Sequence, residues 1–360
     1  MKKKILFVTN HFRFSNGVAS VLRSLIDNMD LDKYDISLLA IYDYNKEFAK
    51  PIENKIHVVK GFGTYFRGFD KFVNLIPSRL LYKLFIKEKY DVEIAFQFGV
   101  PTKMISYSSN PHKICWMHTF DSKMILRRYY ERFPLVINVA KIGMEKMIRE
   151  GFAESKCDYC YNIIDEDNIL GKLDEEIEVA RDHSLVVVTV ARLAPDKAFI
   201  RYLTCIRNML SKVGENADIE FWIIGDGSER DKMEEFVSSN NLSRHVKLLG
   251  QQKNPYKYMD RADCYFCCSY REGFSTACQE AAIIGLPVIS VNVDGAQELF
   301  ELQETGCVID NNEDAIVKEL TDMVYSIEDI KKWKSIAQKS KYKFKKSERI
   351  KKIESIIDKY

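Results

Sequence analysis

The stretch SLVVVTVAR, residues 184–192, sets the tightest limit on how this chain can fold. It is a continuous β-branched run with no polar alternation. Such a run suits a strand buried on both faces, and strands of that kind belong to parallel sheets covered by helices. Similar short runs follow it at IEFWIIG, VKLLG, ADCYFCCS, LPVISV and GCVID, with helical patterns between them. The first half has its own set: KILFVT, DISLLA, IHVV, VEIAF, KICWM and LVINV. Its first helix is expected over residues 17–28, with apolar Val18, Val21, Leu22 and Leu25 on one face. Strands alternating with helices through the whole chain predict an α/β fold.

At 360 residues the chain has the length of two ordinary domains. Between the halves, NIIDEDNILGKLDEEIE is acidic and loses the alternation, which puts the linker near residues 163–180. The expected division is a first domain over 1–165 and a second over 166–335, followed by a helical tail at 336–360. Formal net charge is only +2, which argues against a general nucleic-acid binder. From Lys331 to Tyr360 the balance is +9, leaving −7 for the rest. Ile350, Ile353 and Ile357 share one face of that tail. It can be a solvated charged helix, dock back on the first domain, or meet anionic lipid.

The start, MKKKILFVTNHF, has only Ile5 to Val8 as an apolar run, so it reads as a strand and not as a secretory signal. No apolar stretch approaches the ~18 residues of a membrane span. A cytoplasmic location is therefore expected. The nine cysteines then read as thiols. The clusters CDYC (Cys157, Cys160) and CYFCC (Cys264, Cys267, Cys268) suggest zinc, but they lie in strand-like segments of different domains with no histidine at ligand spacing. Small buried hydrophobes is the reading taken.

Within EGFSTACQEAAIIGLPVIS, residues 272–290, two glutamates flank seven residues. Ser275 or Thr276 can cap a helix over about 276–284, which Gly285 and Pro287 end. Its N-terminus faces the end of a parallel strand, where α/β sheets hold ligands, and its free N–H groups form an anion site. Glu280, one turn inside an otherwise apolar helix, needs a partner: hydroxyls of a ligand just beyond the anion, such as a ribose, or a basic side chain. Glu272 would face the other side of that anion. ARLAPDK adds a second cationic loop, in which Arg192 offers a planar fork and Lys197 a compact charge near a helix that Pro195 can start. The turn Gly225-Asp226-Gly227 follows a third strand, but Arg230 stands where a dinucleotide fingerprint needs glycine. The acidic DED at 165–167 falls in the linker and reads as solvated, so no metal site is expected.

Together these segments resemble the retaining glycosyltransferases of family four. The resemblance is carried by SNGVASVL, WMHTFD, YNIID, ARLAPDK, IIGDGSERDKME and EGFSTACQEAAIIGLPVISVNVDGAQEL, and it runs nearly the full length. It implies the GT-B fold: two Rossmann-like domains facing a cleft, with C-terminal helices crossing back to the first. By the same resemblance Glu280 would hold the ribose hydroxyls, and Arg192 and Lys197 the diphosphate. Glu272, with Gly273, Phe274, Ser275 and Thr276, would hold the donor sugar, Gly17 would let the first loop approach the phosphates, and Asn16 and Gly225 would be among the substrate-binding residues. His118 would stand near the sugar's reacting face, polarising or positioning it. His11 is the alternative general base if the enzyme inverts. The family often has two adjacent glycines at the first loop, where this chain has Asn16-Gly17.

The implied reaction is metal-independent transfer, with retention, of a hexose or N-acetylhexosamine from a nucleoside diphosphate sugar. No cofactor is expected. UDP-sugar is the expected donor, and a saccharide, including a lipid-linked one, the acceptor, in surface polysaccharide or glycan synthesis. Residues 64–89, TYFRGFDKFVNLIPSRLLYKLFIKEK, mix aromatics with six Lys/Arg against Asp70 and Glu88. That pattern fits peripheral contact with an anionic membrane at the inner face of the plasma membrane, and equally core packing beneath a solvated face. The competing classes are a non-catalytic GT-B partner subunit and a nicotinamide oxidoreductase. The complete Arg192, Lys197, Glu272 and Glu280 set counts against the first, and the missing three-glycine loop against the second.

Overall fold

Every apolar run named above becomes a strand, and every strand pairs in parallel. The computed structural model describes residues 1–14, 17–120, 126–340 and 345–360. It divides into two units, Met1–Ile164 with Lys346–Tyr360, and Asp165–Lys345.

Unit 1 holds β1 (Lys3–Phe12), β2 (Tyr34–Tyr44), β3 (Ile56–Val59), β4 (Val92–Ala95), β5 (Lys113–Met117), β6 (Leu135–Asn138) and β7 (Cys157–Tyr159). Their order in the sheet is β3-β2-β1-β4-β5-β6-β7. The edge strand β7 takes Cys157 to Tyr159 of the strand-like CDYC segment, and has only three residues. Helix Gly17–Asn28 buries Val21, Leu22 and Leu25 as its spacing predicts, whereas Val18 is only half-buried.

Unit 2 repeats the plan with β8 (Leu185–Val190), β9 (Ile219–Ile224), β10 (Val246–Gly250), β11 (Cys264–Cys267), β12 (Val288–Val291) and β13 (Gly306–Ile309), ordered β10-β9-β8-β11-β12-β13. In both sheets the chain runs outward from the first strand, then returns to its other side. The reversal falls between β1 and β4 in one sheet and between β8 and β11 in the other. At such a point neighbouring connections leave on opposite faces, which opens a crevice at the carboxyl ends of the strands. The continuous β-branched run, β8, lies inside the sheet between β9 and β11. Val187, Phe221 and Phe266 from the sheet pack with Phe199, Tyr202, Ile206 and Met209 of helix Phe199–Val213.

The tail divides between the units. Helix Ile327–Ser340 belongs to unit 2, and helix Lys346–Asp358 to unit 1. The second helix buries Ile350, Ile353, Ile356 and Ile357. Glu354 accepts from the Asp30 N–H at 3.0 Å, Asp358 from the Tyr34 hydroxyl at 2.8 Å, and Lys352 lies 3.6 Å from the Tyr159 ring centre. Of the readings open for the tail, residues 346–360 take docking on the first sheet, because their isoleucine row is buried there. The acidic linker is not simply solvated either. Asp165 caps helix Glu166–Leu170 by accepting from the Asn168 N–H at 3.4 Å, and Glu166 and Asp167 fill its first turn, where the helix dipole favours acids.

Ile353→Ala empties a fully buried site and is expected to cost about 2–5 kcal/mol. Chemical denaturation read out with limited proteolysis should show the tail cleaved first. A variant as stable and as protease-resistant as the parent would contradict this packing.

Candidate functional site

Two loops meet at the reversal point of the second sheet. The first leaves β8 through Ala191 and Arg192 and closes in a short 3-10 turn, Pro195–Lys197. Helix Phe199–Val213 begins only after Ala198, whose φ of +58° interrupts the helical path. Lys197 thus stands on a tight turn two residues ahead of the helix, which starts later than Pro195 suggested.

The second loop leaves β11 and ends in helix Thr276–Ile284, with the bounds its capping pattern predicts. Ser275 caps it, accepting from the Cys278 N–H at 3.3 Å, and Gly285 ends it in the left-handed conformation at φ +87°. Among the described residues the N–H groups of Thr276 and Ala277 have no acceptor, and the first turn carries no acid. That end of the helix is left open to an anion.

The loops are tied to each other. Lys197 Nζ lies 2.7 Å from Glu272 Oε1, in a pair whose side chains are only 18% and 14% exposed. The Tyr270 N–H donates to the Asp196 carbonyl at 3.0 Å, and the Cys268 thiol to the Lys197 carbonyl at 3.3 Å. Burial by itself would depress the Lys197 ammonium, but Glu272 and then Asp196 outweigh it and hold it above the ordinary lysine value. Arg192 is mostly exposed, its guanidinium 3.8 Å from Asp196, so both cations border one aspartate.

Sequence reading missed what holds Glu272. Ser269 donates to its Oε1 at 2.7 Å. Asn311, after β13, donates to the Ser269 carbonyl at 3.2 Å. Buried Arg201 donates to the Cys268 carbonyl at 2.6 Å and stacks 4.2 Å from the Tyr270 ring centre. A serine three residues before the glutamate at a strand end was a usable clue. Arg201 and Asn311 reach the site only through folding.

Gly225 and Gly227 serve the same platform from a third loop. Gly225 has φ +143°, and a Cβ on it would fall 1.9 Å from the Ala191 carbonyl oxygen; one on Gly227 would fall 2.3 Å from that of Leu193. The Leu193 N–H donates to the Asp226 carbonyl at 3.0 Å. In this structure Gly225 therefore lets the β9 loop press against the Arg192 loop. Packing is the role visible for it.

Glu280 lies on the helix that starts at the second loop. Among the described residues no donor or cation approaches its carboxyl, and burial pushes it up to about 8. An internal salt bridge, the reading that needed no ligand, is absent among the described residues. Gln279 beside it is fully buried, and its side-chain amide reaches the Ser275 carbonyl at 3.3 Å.

In unit 1, Gly17 begins the first helix, whereas Asn16 lies outside the described residues, as does Asp121 of WMHTFD. His118 follows β5. Its Nε2–H donates to the Phe96 carbonyl at 3.0 Å, and burial pushes the ring down to about 4. It is neutral near pH 7, with Nδ1 left as an acceptor. His11 lies at the end of β1, Nδ1 at 2.8 Å from Asp43 Oδ1, while Arg13 holds the other oxygen at 2.8 Å. Cys157 and Cys160 belong to unit 1, and the buried Cys264, Cys267 and Cys268 to unit 2. Among the described residues no group of three or more His, Cys, Asp or Glu is placed to hold a metal ion.

Residues 172–340 match the family model of glycosyl transferases group 1. A protein of Campylobacter jejuni, N-acetylgalactosamine-N,N'-diacetylbacillosaminyl-diphospho-undecaprenol 4-alpha-N-acetylgalactosaminyltransferase, is 24% identical over 355 residues, 94% of either chain. Among solved structures, Anabaena HepE in complex with UDP and glucose aligns at TM-score 0.74 and 18% identity, over 99% of this chain and all of that one. WaaG, a glycosyltransferase involved in lipopolysaccharide biosynthesis, aligns at 0.69 and 12%, over 98% and 99%. At those identities the structural likenesses are likenesses of fold.

Gly225→Ala should destabilise the second unit by about 2 kcal/mol or more, because the close backbone approach has no room for a methyl group. Thermal unfolding of the full chain measures it. An unshifted melting temperature would show that the loop does not need this glycine.

Proposed function

We propose that this chain, a group 1 glycosyltransferase with the GT-B fold, moves a hexose or N-acetylhexosamine from a UDP-sugar to a lipid-linked saccharide, without a metal and with retention. One observation carries the reading. Lys197 and Glu272 pair beside the open N–H groups of helix Thr276–Ile284 at the strand-order reversal, with Glu280, an acid that has no partner among the described residues, along the same helix. A diphosphate supplies the anion that this arrangement lacks, and a ribose supplies the hydroxyls. The UDP in the HepE structures and the diphospho-undecaprenol in the Campylobacter relative's name support the choice of donor and acceptor class.

In this mechanism the C1–O bond of the donor breaks and its electron pair leaves with the diphosphate. Lys197, exposed Arg192 and the helix N–H groups stabilise that growing charge. The acceptor hydroxyl attacks from the same face, and its proton passes to the departing phosphate oxygen. Glu272, fixed by Lys197 and Ser269, accepts from sugar hydroxyls. Neutral His118, in unit 1, has no charge of its own to offer a reacting group. A thermal-shift screen of nucleoside diphosphate sugars tests the whole reading, because a ligand that binds the folded state raises its melting temperature. No stabilisation by any of them would end it.

Glu280 gives the reading a pH signature. Its carboxyl titrates near 8 in the free protein, and hydroxyl donors favour the ionised form, so binding should release a proton. UDP affinity should rise as pH climbs toward 8 and level off above it. In Glu280→Gln the affinity should be weaker and this pH dependence gone. Calorimetry in buffers of different ionisation enthalpy measures both, and an unchanged affinity would remove Glu280 from the site.

Lys197→Ala should lower UDP-sugar hydrolysis roughly 10²–10³-fold, the usual effect of losing one preorganised group at a developing charge. UDP affinity should change much less. Loss of affinity with turnover preserved would place Lys197 in ground-state binding instead.

A further inference from the structure

Residues 64–89 fold into two short helices, Phe69–Leu75 and Ser78–Phe85. Their inner face is anchored. Val73, Leu81 and Phe85 are buried in the core of unit 1, and the Tyr82 hydroxyl donates to buried Glu93 at 2.7 Å. Lys103 reaches up to the turn between the helices, donating to the carbonyls of Asn74 at 2.6 Å and Ile76 at 2.7 Å. The outer face is apolar as well. Phe66, Phe72, Leu80 and Leu84 are half-exposed or more, and Leu75, at the turn, is 80% exposed. A rigidly held element that turns five large apolar side chains to water is built to meet another apolar phase.

The charges say which one. Arg67, Lys71, Arg79, Lys83, Lys87 and Lys89 are all exposed among those side chains, and the segment's only acids are Asp70 and Glu88. A second copy of the chain would bring six cations against six, whereas an anionic bilayer takes the cations at its headgroups and the rings and leucines just below them. We propose that this face, led by Phe72 and Leu75, seats unit 1 on an anionic membrane surface with the two helices lying in the interface plane. Among the described residues no helix is long and apolar enough to cross a membrane, so the contact is superficial. The purpose of this seating rests on the lipid-linked acceptor proposed above, but the contact itself needs neither donor nor acceptor.

The test is co-sedimentation of the full chain with vesicles of phosphatidylcholine mixed with phosphatidylglycerol, against pure phosphatidylcholine. The parent protein should bind the mixed vesicles and release them at high salt. Phe72→Ser with Leu75→Ser, and separately Lys71→Glu with Arg79→Glu, should each weaken binding roughly tenfold or more. All four positions are exposed, so folding is preserved, and stabilisation by UDP serves as the control for unit 2. Absence of vesicle binding overturns the proposal. So does binding that both double variants retain, which would point to another surface, or a parent dimer that Phe72→Ser with Leu75→Ser dissolves, which would make a second copy the occupant. Each of these results leaves UDP binding, and the reaction proposed from it, standing or falling by its own assay.

Discussion

The Lys197–Glu272 ion pair is the contact on which the candidate site depends. It joins the loops leaving β8 and β11, the two strands from which the chain sets out in opposite directions across the second sheet. The Tyr270 N–H to Asp196 carbonyl and Cys268 thiol to Lys197 carbonyl bonds hold the same two loops together. A cation, a carboxylate and an open helix end thus share one small region at the carboxyl edge. The pair is mostly buried, and a buried pair stripped of one partner leaves a costly lone charge. The surrounding bonds fit that constraint: Ser269 takes part of the Glu272 carboxylate, and Arg201 and Asn311 fix the backbone behind it.

Partners separate the two acids of the seven-residue spacing. Glu272 has a cation and a hydroxyl. Among the described residues Glu280 has no partner, and burial pushes its carboxyl up to about 8. A folded-state value above the unfolded one means that the folded protein holds a proton the unfolded chain would release. The stability this contributes is fully present below the ordinary carboxylate range and is lost as pH rises toward 8. The free protein thus keeps a protonated acid at neutral pH on the helix that opens toward the anion position. His118 runs the other way: burial pushes it down to about 4, so its unfolded form takes up a proton that the folded form refuses. Stability from this group is present above the ordinary histidine range and is lost as pH falls toward 4.

Much of this was legible in the chain because it rests on local pattern. All twelve apolar runs became strands, and helix Thr276–Ile284 kept its predicted bounds because Ser275 and Gly285 act on the backbone within a few residues. Where local pattern was thin, reading fell short. The Lys197 turn depends on Ala198 in a left-handed conformation that no alanine advertises. Residues 64–89 left core packing and membrane contact equally open, because amphipathic spacing does not tell which face has a partner. The structure shows one face in the core and an apolar face outside it.

The sequence by itself determined the alternation of parallel strands and helices, the two-part division, and the acids, cations and caps that mark one loop after another. Those are short-range properties, written in periods of two and 3.6 residues and in the chemistry of turns. Tertiary structure decided which of those marks meet. Lys197 and Glu272 are 75 residues apart, Arg201 and Cys268 67, and Gly225 lies against Ala191 across neighbouring strands. Only the order of strands in the finished sheet brings such distant loops to the same edge, because pairing between β8, β9 and β11 is a long-range choice that no single segment encodes.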